Sequence, residues 1–365
     1  MSDAFTPAPV FVVGYMHSGT TLMYKILGRS STLFTSKGES KYFELMPMLR
    51  RRFPDLSSDD ALRGLVEYTL RDLLDGFVMS DLVHGQRDGA PAAAALASDV
   101  DLLLEQARAN RDYGAVFRIV FDHLAKRAGK PRWMEKTPTH VFHIDKILEA
   151  VPTARFIEIT RDPRDVLASK KTRTADVSTS KRYSDDERAR KRLEKAFDPL
   201  WDALSWKSAV AAGRRARTKY PDRVFHVLYE DLVTAPEQTV RELCAFLGLD
   251  FEPTMIDVPG GNAADFSGRK EGIYASSLKR WQKALTPAEV ALSQSVLKRE
   301  LGELGYDAEP IAIRARVEAI WLLLKALEAL VSRIVRRWRM GGSSYLRNVL
   351  RDYGERLAVL VTAKR

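Results

Sequence analysis

Two stretches of this 365-residue chain carry the residue types and spacing of anion-binding chemistry. The first is Gly14-Tyr15-Met16-His17-Ser18-Gly19-Thr20-Thr21, which follows the apolar run Val10-Phe11-Val12-Val13. It opens a helical pattern over residues 20–29, with Leu22, Met23, Ile26 and Leu27 on one face. A glycine-rich turn between a strand and a helix gathers unpaired N–H groups and the positive end of the helix at one point. The glycine spacing is that of the nucleotide-triphosphate loop GxxxxGK[ST], but Thr20 stands where that loop has lysine. A γ-phosphate with Mg²⁺ would lose its main cation there. The second stretch is Arg161-Asp162-Pro163-Arg164-Asp165-Val166-Leu167-Ala168-Ser169, after the strand-like Arg155–Thr160. An arginine at a strand end and a hydroxyl two helical turns later can grip one phosphate, and Arg173 lies a turn beyond Ser169. The plainer alternative for both is a hydroxyl-rich helix cap and solvated arginines.

His17-Ser18-Gly19-Thr20-Thr21 resembles the 5′-phosphosulfate loop of sulfotransferases that use 3′-phosphoadenosine 5′-phosphosulfate (PAPS), where Lys or Arg usually precedes SGTT. Arg161 to Ser169 resembles the 3′-phosphate motif of the same family. Trp133-Met134-Glu135-Lys136-Thr137-Pro138 is similar to the EKTP segment of its Golgi-type and bacterial branches, the tyrosylprotein sulfotransferases included. Leu228-Tyr229-Glu230-Asp231-Leu232 resembles its YEDL segment, and Ser267-Gly268-Arg269-Lys270-Glu271-Gly272 its RKG-type loop. The resemblance covers about residues 8–308. It implies a three-layer αβα, P-loop-like fold with a central parallel sheet. It implies transfer of a sulfuryl group from PAPS to a hydroxyl of a small-molecule, glycan or lipid acceptor, releasing adenosine 3′,5′-bisphosphate without a metal. His17, Ser18, Gly19, Thr20 and Thr21 would hold the 5′ end, Arg161, Ser169 and Arg173 the 3′-phosphate, and Tyr229, Arg269 and Lys270 would be further cofactor-binding residues.

Such a transfer must remove a proton from the acceptor and neutralise charge on the leaving phosphate. Glu39, in Ser36-Lys37-Gly38-Glu39-Ser40, lies where the tyrosylprotein-like branch carries its Glu base, and burial would suit it to that task. Glu44 is the reserve, and an exposed loop Glu the bland alternative. His84, His140 and His143 match no family motif and read as structural. His17 departs from the usual Lys or Arg; adjacent phosphates would raise its pKa, so that His17 or Lys136 would neutralise the leaving group.

The elements that must position these residues follow from periodicity. Strands are expected over residues 9–14, 132–135, 155–160 and 223–229, and helices over 59–79 and 112–128. Helical patterns between strands argue for a parallel sheet with helices on both faces. The stretch around 45–130 reads as a helical insertion, with Gly85 to Ala97 a connection inside it. Residues 173–195, dense in both charges, read as a surface loop or solvated helix, and 257–277 as a loop.

The lone cysteine, Cys244, excludes an intrachain disulfide and reads as core packing. The N-terminus lacks a signal-peptide pattern, so a cytoplasmic protein is expected. Residues 311–365 hold 12 Lys/Arg against 4 Asp/Glu, an excess of 8 within the chain's net charge of +10, so the catalytic unit at 1–308 is not read as a nucleic-acid binder. The tail at 309–365 reads as basic amphipathic helices. Ile320, Leu324, Leu327, Val331, Ile334 and Trp338 share one face, and a second helix follows from Tyr345 to Leu360. Residues 318–360 would meet an anionic membrane surface, or pack on the enzyme or in a homodimer. A P-loop kinase using ATP and a non-catalytic nucleotide-binding protein at a membrane are the competing readings; Thr20 and Arg161–Ser169 oppose the first, and Glu39 the second.

Overall fold

A computed structural model of the protein describes residues 8–36, 38–75, 93–176, 197–258, 272–325 and 354. Strand β1 (Val10–Gly14) is buried on both faces, as its unbroken apolar run requires of a central parallel strand. It pairs with β3 (Arg132–Lys136) on one side and β4 (Arg155–Thr160) on the other. The short edge strand β2 (Leu33–Thr35) lies beside β3, and β5 (Val224–Leu228) beside β4. The five strands run parallel in the order β2-β3-β1-β4-β5. Chain order therefore reverses around β1, and such a sheet opens a crevice at the carboxyl end of that strand.

Alternation along the strands divides two cores. Phe11, Trp133 and Phe156 face a layer that includes Phe117 and Phe121, while Val10, Val12, Met134 and Ile157 face the opposite layer. The second layer is built from α1 (Thr20–Leu27), α9 (Tyr229–Thr234) and α10 (Pro236–Leu247). Cys244 is core there, with Sγ 3.7 Å from Met255 Sδ, and burial pushes its thiol up to about 11.

Between β2 and β3 the described chain runs through α2 (Tyr42–Arg52), α3 (Asp59–Asp75), α4 (Ala93–Arg108) and α5 (Tyr113–Arg127). Asp112 starts α5 by accepting hydrogen bonds from the N–H groups of Gly114 and Ala115. Helix α4 corrects the expected connection over Gly85 to Ala97, since residues 93–97 already belong to it. The alanines there act as helix formers rather than linker residues. After β3 come a 3₁₀ turn (Pro138–Phe142) and α6 (Ile144–Ala150), and after β4 comes α7 (Pro163–Asp176). Helix α8 (Pro199–Lys219) precedes β5; α11 (Trp281–Ala284), α12 (Pro287–Val296) and α13 (Lys298–Glu303) follow α10. Tyr229, read as the end of a strand, instead begins α9. Residues 313–325 are helical, whereas the expected helix from Tyr345 to Leu360 lies, apart from residue 354, outside the described residues.

Candidate active site

The carboxyl ends of the strands deliver the polar residues to one place. The turn after β1 needs its glycines: a Cβ on Gly14 would stand 2.4 Å from the Ile159 carbonyl oxygen, and one on Gly19 2.3 Å from the Tyr229 ring. Gly19 has φ +99° and His17 φ +66°, so the loop is wound through left-handed backbone at two positions. Gly19 is also the N-cap of α1 and brings no side chain to cap it. The first-turn N–H groups, those of Thr20 and Thr21 among them, are thus available for an anion. Thr20 is buried and Thr21 exposed. The Ser18 hydroxyl is turned inward beside Tyr15 and Trp206 and finds no hydrogen-bond partner among the described residues.

Arg161, at the end of β4, ties this loop to the rest of the site. Its Nη1 donates to the His17 carbonyl at 3.3 Å and its Nη2 to the Ser277 carbonyl at 2.6 Å. Its guanidinium lies 4.3 Å from the centre of the Tyr229 ring, and the Tyr229 hydroxyl is 2.7 Å from Ser277 Oγ. Arg161 is buried, and its Nε has no partner among the described residues. Asp165 accepts from the N–H groups of Lys279 and Trp281, fixing the chain just past Ser277. Glu230 accepts from the Asp162 N–H and the Tyr306 hydroxyl, so the acid of the YEDL segment supports the Arg161 turn.

Ser169 is half-buried and Arg173 exposed on α7. His17 is drawn down to about 4, first by burial and then by the positive charges of Arg173, Lys170 and Arg161. The imidazole is therefore neutral near pH 7, and the protonation expected of His17 requires the adjacent phosphates that would raise its pKa. Arg173, Lys170 and Arg161 add to the effect of burial, so three cations act on this loop. Arg269 and Lys270 lie outside the described residues.

On the other side of β1, Lys136 Nζ donates to Glu39 Oε1 at 2.7 Å. Lys136 is nearly buried, and its ammonium lies 5.9 Å from the centre of the Tyr24 ring, whereas the Glu39 side chain is 32% exposed. Glu39 is thus an accessible, paired carboxylate rather than the buried one expected. Beneath the pair lies a network that sequence reasoning did not find. The fully buried Glu135 carboxylate accepts from Ser40 Oγ at 2.8 Å, Thr137 Oγ1 at 2.6 Å and His140 Nδ1 at 2.9 Å. Thr137 Oγ1 in turn accepts from the Lys41 N–H at 3.1 Å. Burial pushes Glu135 up, but His140 and the two hydroxyls outweigh it and hold the carboxyl below its ordinary range. Glu135 therefore clamps the loop bearing Glu39 onto the strand bearing Lys136. Its place in the EKTP segment was a signal, but one that drew attention to Lys136. Glu44 accepts from Thr139 Oγ1 at 2.5 Å, and His140 is held in the Glu135 network.

Comparison with known proteins identifies the fold and the family. A sulfotransferase domain from an olefin synthase of Synechococcus PCC 7002 superposes with a TM-score of 0.50 at 19% identity, covering 84% of this chain and 98% of that one, and so shares the fold. An uncharacterised protein of Aquifex aeolicus (strain VF5) is 25% identical over 305 residues, which is 81% of this chain and 34% of that protein. The omega-hydroxy-beta-dihydromenaquinone-9 sulfotransferase Stf3 of Mycobacterium bovis is 34% identical over 127 residues, 32% of this chain and 29% of that enzyme. The matched regions span about a third of the length of these curated relatives. Residues 9–253 match the sulfotransferase family as a whole, a range that takes in β1 and its loop, the Glu39–Lys136 pair, Arg161 and Tyr229, and on that match this chain belongs to the sulfotransferase family.

Proposed function

We propose that this chain moves the sulfuryl group of PAPS to a hydroxyl of a small-molecule, glycan or lipid acceptor. One observation carries the reading: Arg161 reaches from the end of β4 to the His17 carbonyl and stacks on Tyr229, joining the two phosphate motifs in one cradle. The residues present fit the donor. The uncapped first turn of α1, the unpartnered Arg161 Nε and the cations Arg173, Lys170 and Arg161 around His17 all favour a multiply charged anion.

PAPS supplies an activated sulfuryl group: the acceptor oxygen bonds to sulfur while the bond from sulfur to the 5′-phosphate oxygen breaks, leaving adenosine 3′,5′-bisphosphate. The N–H groups of Thr20 and Thr21 would hold the 5′ end, and Arg161, Ser169 and Arg173 the 3′-phosphate. Lys136 supplies positive charge toward the leaving oxygen. Drawing Lys136 to that anion frees the Glu39 carboxylate, which takes the acceptor proton. His17 is neutral in the free protein and gains a proton as phosphate charge approaches it.

Among acceptor classes a lipid alcohol has specific support, since the Mycobacterium bovis relative is named for a hydroxylated menaquinone. The test is incubation with PAPS and separate pools of long-chain alcohols, glycans and small alcohols, read by mass spectrometry. Gain of one SO₃ by an acceptor, absent with Glu39→Gln, supports the reading. Consumption of PAPS only by hydrolysis, unchanged in that variant, opposes it.

A further inference from the structure

We infer that residues 313–325 form a docking face for an anionic lipid surface. This helix has two apolar faces of different character. Ala315, Ala319 and Leu322 turn toward the enzyme, where Ala319 and Leu322 join Ala291 and Leu292 of α12. That small-residue side fixes the helix to the catalytic unit. The opposite side carries Ile313, Val317, Ile320, Trp321 and Leu324, all exposed, with Ile313 at 80% and Trp321 at 65%. At about 100° per residue these five fall within roughly 100° of arc. Of the alternatives for Ile320 and Leu324, packing on the described part of the enzyme is not met, because the helix docks through Ala315, Ala319 and Leu322 instead.

Charge selects the occupant of the bare face. Arg314 and Lys325 border the apolar strip on one side and Arg316 on the other, and all three are exposed. Glu318 is the one acid among residues 311–325, and it is engaged by Arg314 at 2.9 Å. An apolar strip edged by cations on both sides suits the headgroup boundary of an anionic leaflet, where the rings and alkyl groups enter and the cations reach the phosphates. The excess of 8 positive charges over residues 311–365 adds long-range attraction of the same sign. Ile311, at the foot of the helix, packs against a cluster containing Leu167 and Ala168 of α7, the helix that carries Ser169. The docked face thus connects through packed side chains to the helix of the 3′-phosphate motif.

This proposal stands apart from the sulfuryl-transfer reading and is tested without turnover. The full chain is sedimented with vesicles of phosphatidylcholine containing about one-third phosphatidylglycerol, and with phosphatidylcholine alone, at low and high salt. Binding should be about ten-fold or more stronger to the anionic vesicles and should be reversed by salt. Ile320→Gln/Trp321→Gln/Leu324→Gln should reduce it by a similar factor while leaving the affinity for adenosine 3′,5′-bisphosphate unchanged. Arg314→Gln/Arg316→Gln/Lys325→Gln should weaken binding chiefly at low salt. Absence of binding to anionic vesicles at low salt overturns the proposal, as does full binding by the Gln triple variant of the apolar strip. A concentration-dependent dimer that this variant abolishes, seen by analytical ultracentrifugation without lipid, would assign the face to a second copy and equally overturn it.

Discussion

Lys136 Nζ lies 2.7 Å from Glu39 Oε1, so the residue expected to stabilise the leaving group and the residue expected to act as base neutralise one another in the unliganded protein. Each is therefore held ready rather than free. An arriving anionic donor competes for the lysine and releases the carboxylate.

Glu39→Gln should consequently lower kcat by about 10²–10⁴-fold, the usual contribution of a positioned general base. Affinity for adenosine 3′,5′-bisphosphate, measured by calorimetry, should be retained or rise, because Glu39 pairs with Lys136 and its neutralisation leaves that lysine free for the anion. Loss of bisphosphate affinity in parallel with kcat would make Glu39 a binding residue instead.

Glu135 predicts an acid-dependent loss of stability. Its folded pKa lies below the ordinary value of 4.5, so its stabilisation is present above that pH and fades as pH falls through the folded value. Glu135→Ala strands His140 in the core and should cost about 3–5 kcal/mol, read by denaturant unfolding near neutral pH. Glu135→Gln, which keeps the shape, should lower kcat more than donor KM and flatten the acid limb of the stability curve. An unchanged acid limb would show that Glu135 carries no charge in the folded protein.

His17 gives the clearest pH signature. It is drawn from 6.5 to about 4, chiefly by burial, so it contributes stability above pH 6.5 that is lost as pH falls from there toward 4. Bound phosphates reverse the sign of the local field and should raise the pKa. Bisphosphate binding near neutral pH should then take up a fraction of a proton and tighten as pH falls. Calorimetry in buffers of different ionisation enthalpy measures that uptake, and His17→Ala should remove it. Equal uptake in the variant would place the proton on another group.

Gly19→Ala places a Cβ 2.3 Å from the Tyr229 ring at a φ of +99°. Tyr229 and the loop must separate, and Arg161 loses its stacking partner. Bisphosphate affinity should fall by about ten-fold or more, at a cost of roughly 1 kcal/mol or more in unfolding free energy. Wild-type affinity in this variant would mean that the Gly19–Tyr229 packing does not set the cradle.

Local patterns were enough to read β1, its loop and the Arg161 turn, because strand, turn and helix signals there are contiguous in sequence. Strand β2 was missed because Leu33-Phe34-Thr35 is too short for alternation to register. Helix α4 was partly read as a connection because its first residues sit in Pro- and Ala-rich sequence. The pairing of Glu39 with Lys136 joins residues 97 positions apart, and only the adjacency of β2 and β3 brings them together. Ser277 closes on Arg161 from the end of a stretch read as a loop, outside the motif at residues 267–272. The tail illustrates the same limit, since its apolar stripe left membrane, enzyme and homodimer open, and the contacts of Ala319 and Leu322 with α12 had no sequence signal.

The central claim is tested most directly by calorimetric titration with adenosine 3′,5′-bisphosphate and, separately, with ATP–Mg²⁺. Micromolar or tighter binding of the bisphosphate, lost in Arg161→Ala and absent for ATP–Mg²⁺, is the predicted result. Binding of ATP–Mg²⁺ without binding of the bisphosphate would contradict the account and favour a phosphoryl-transfer enzyme.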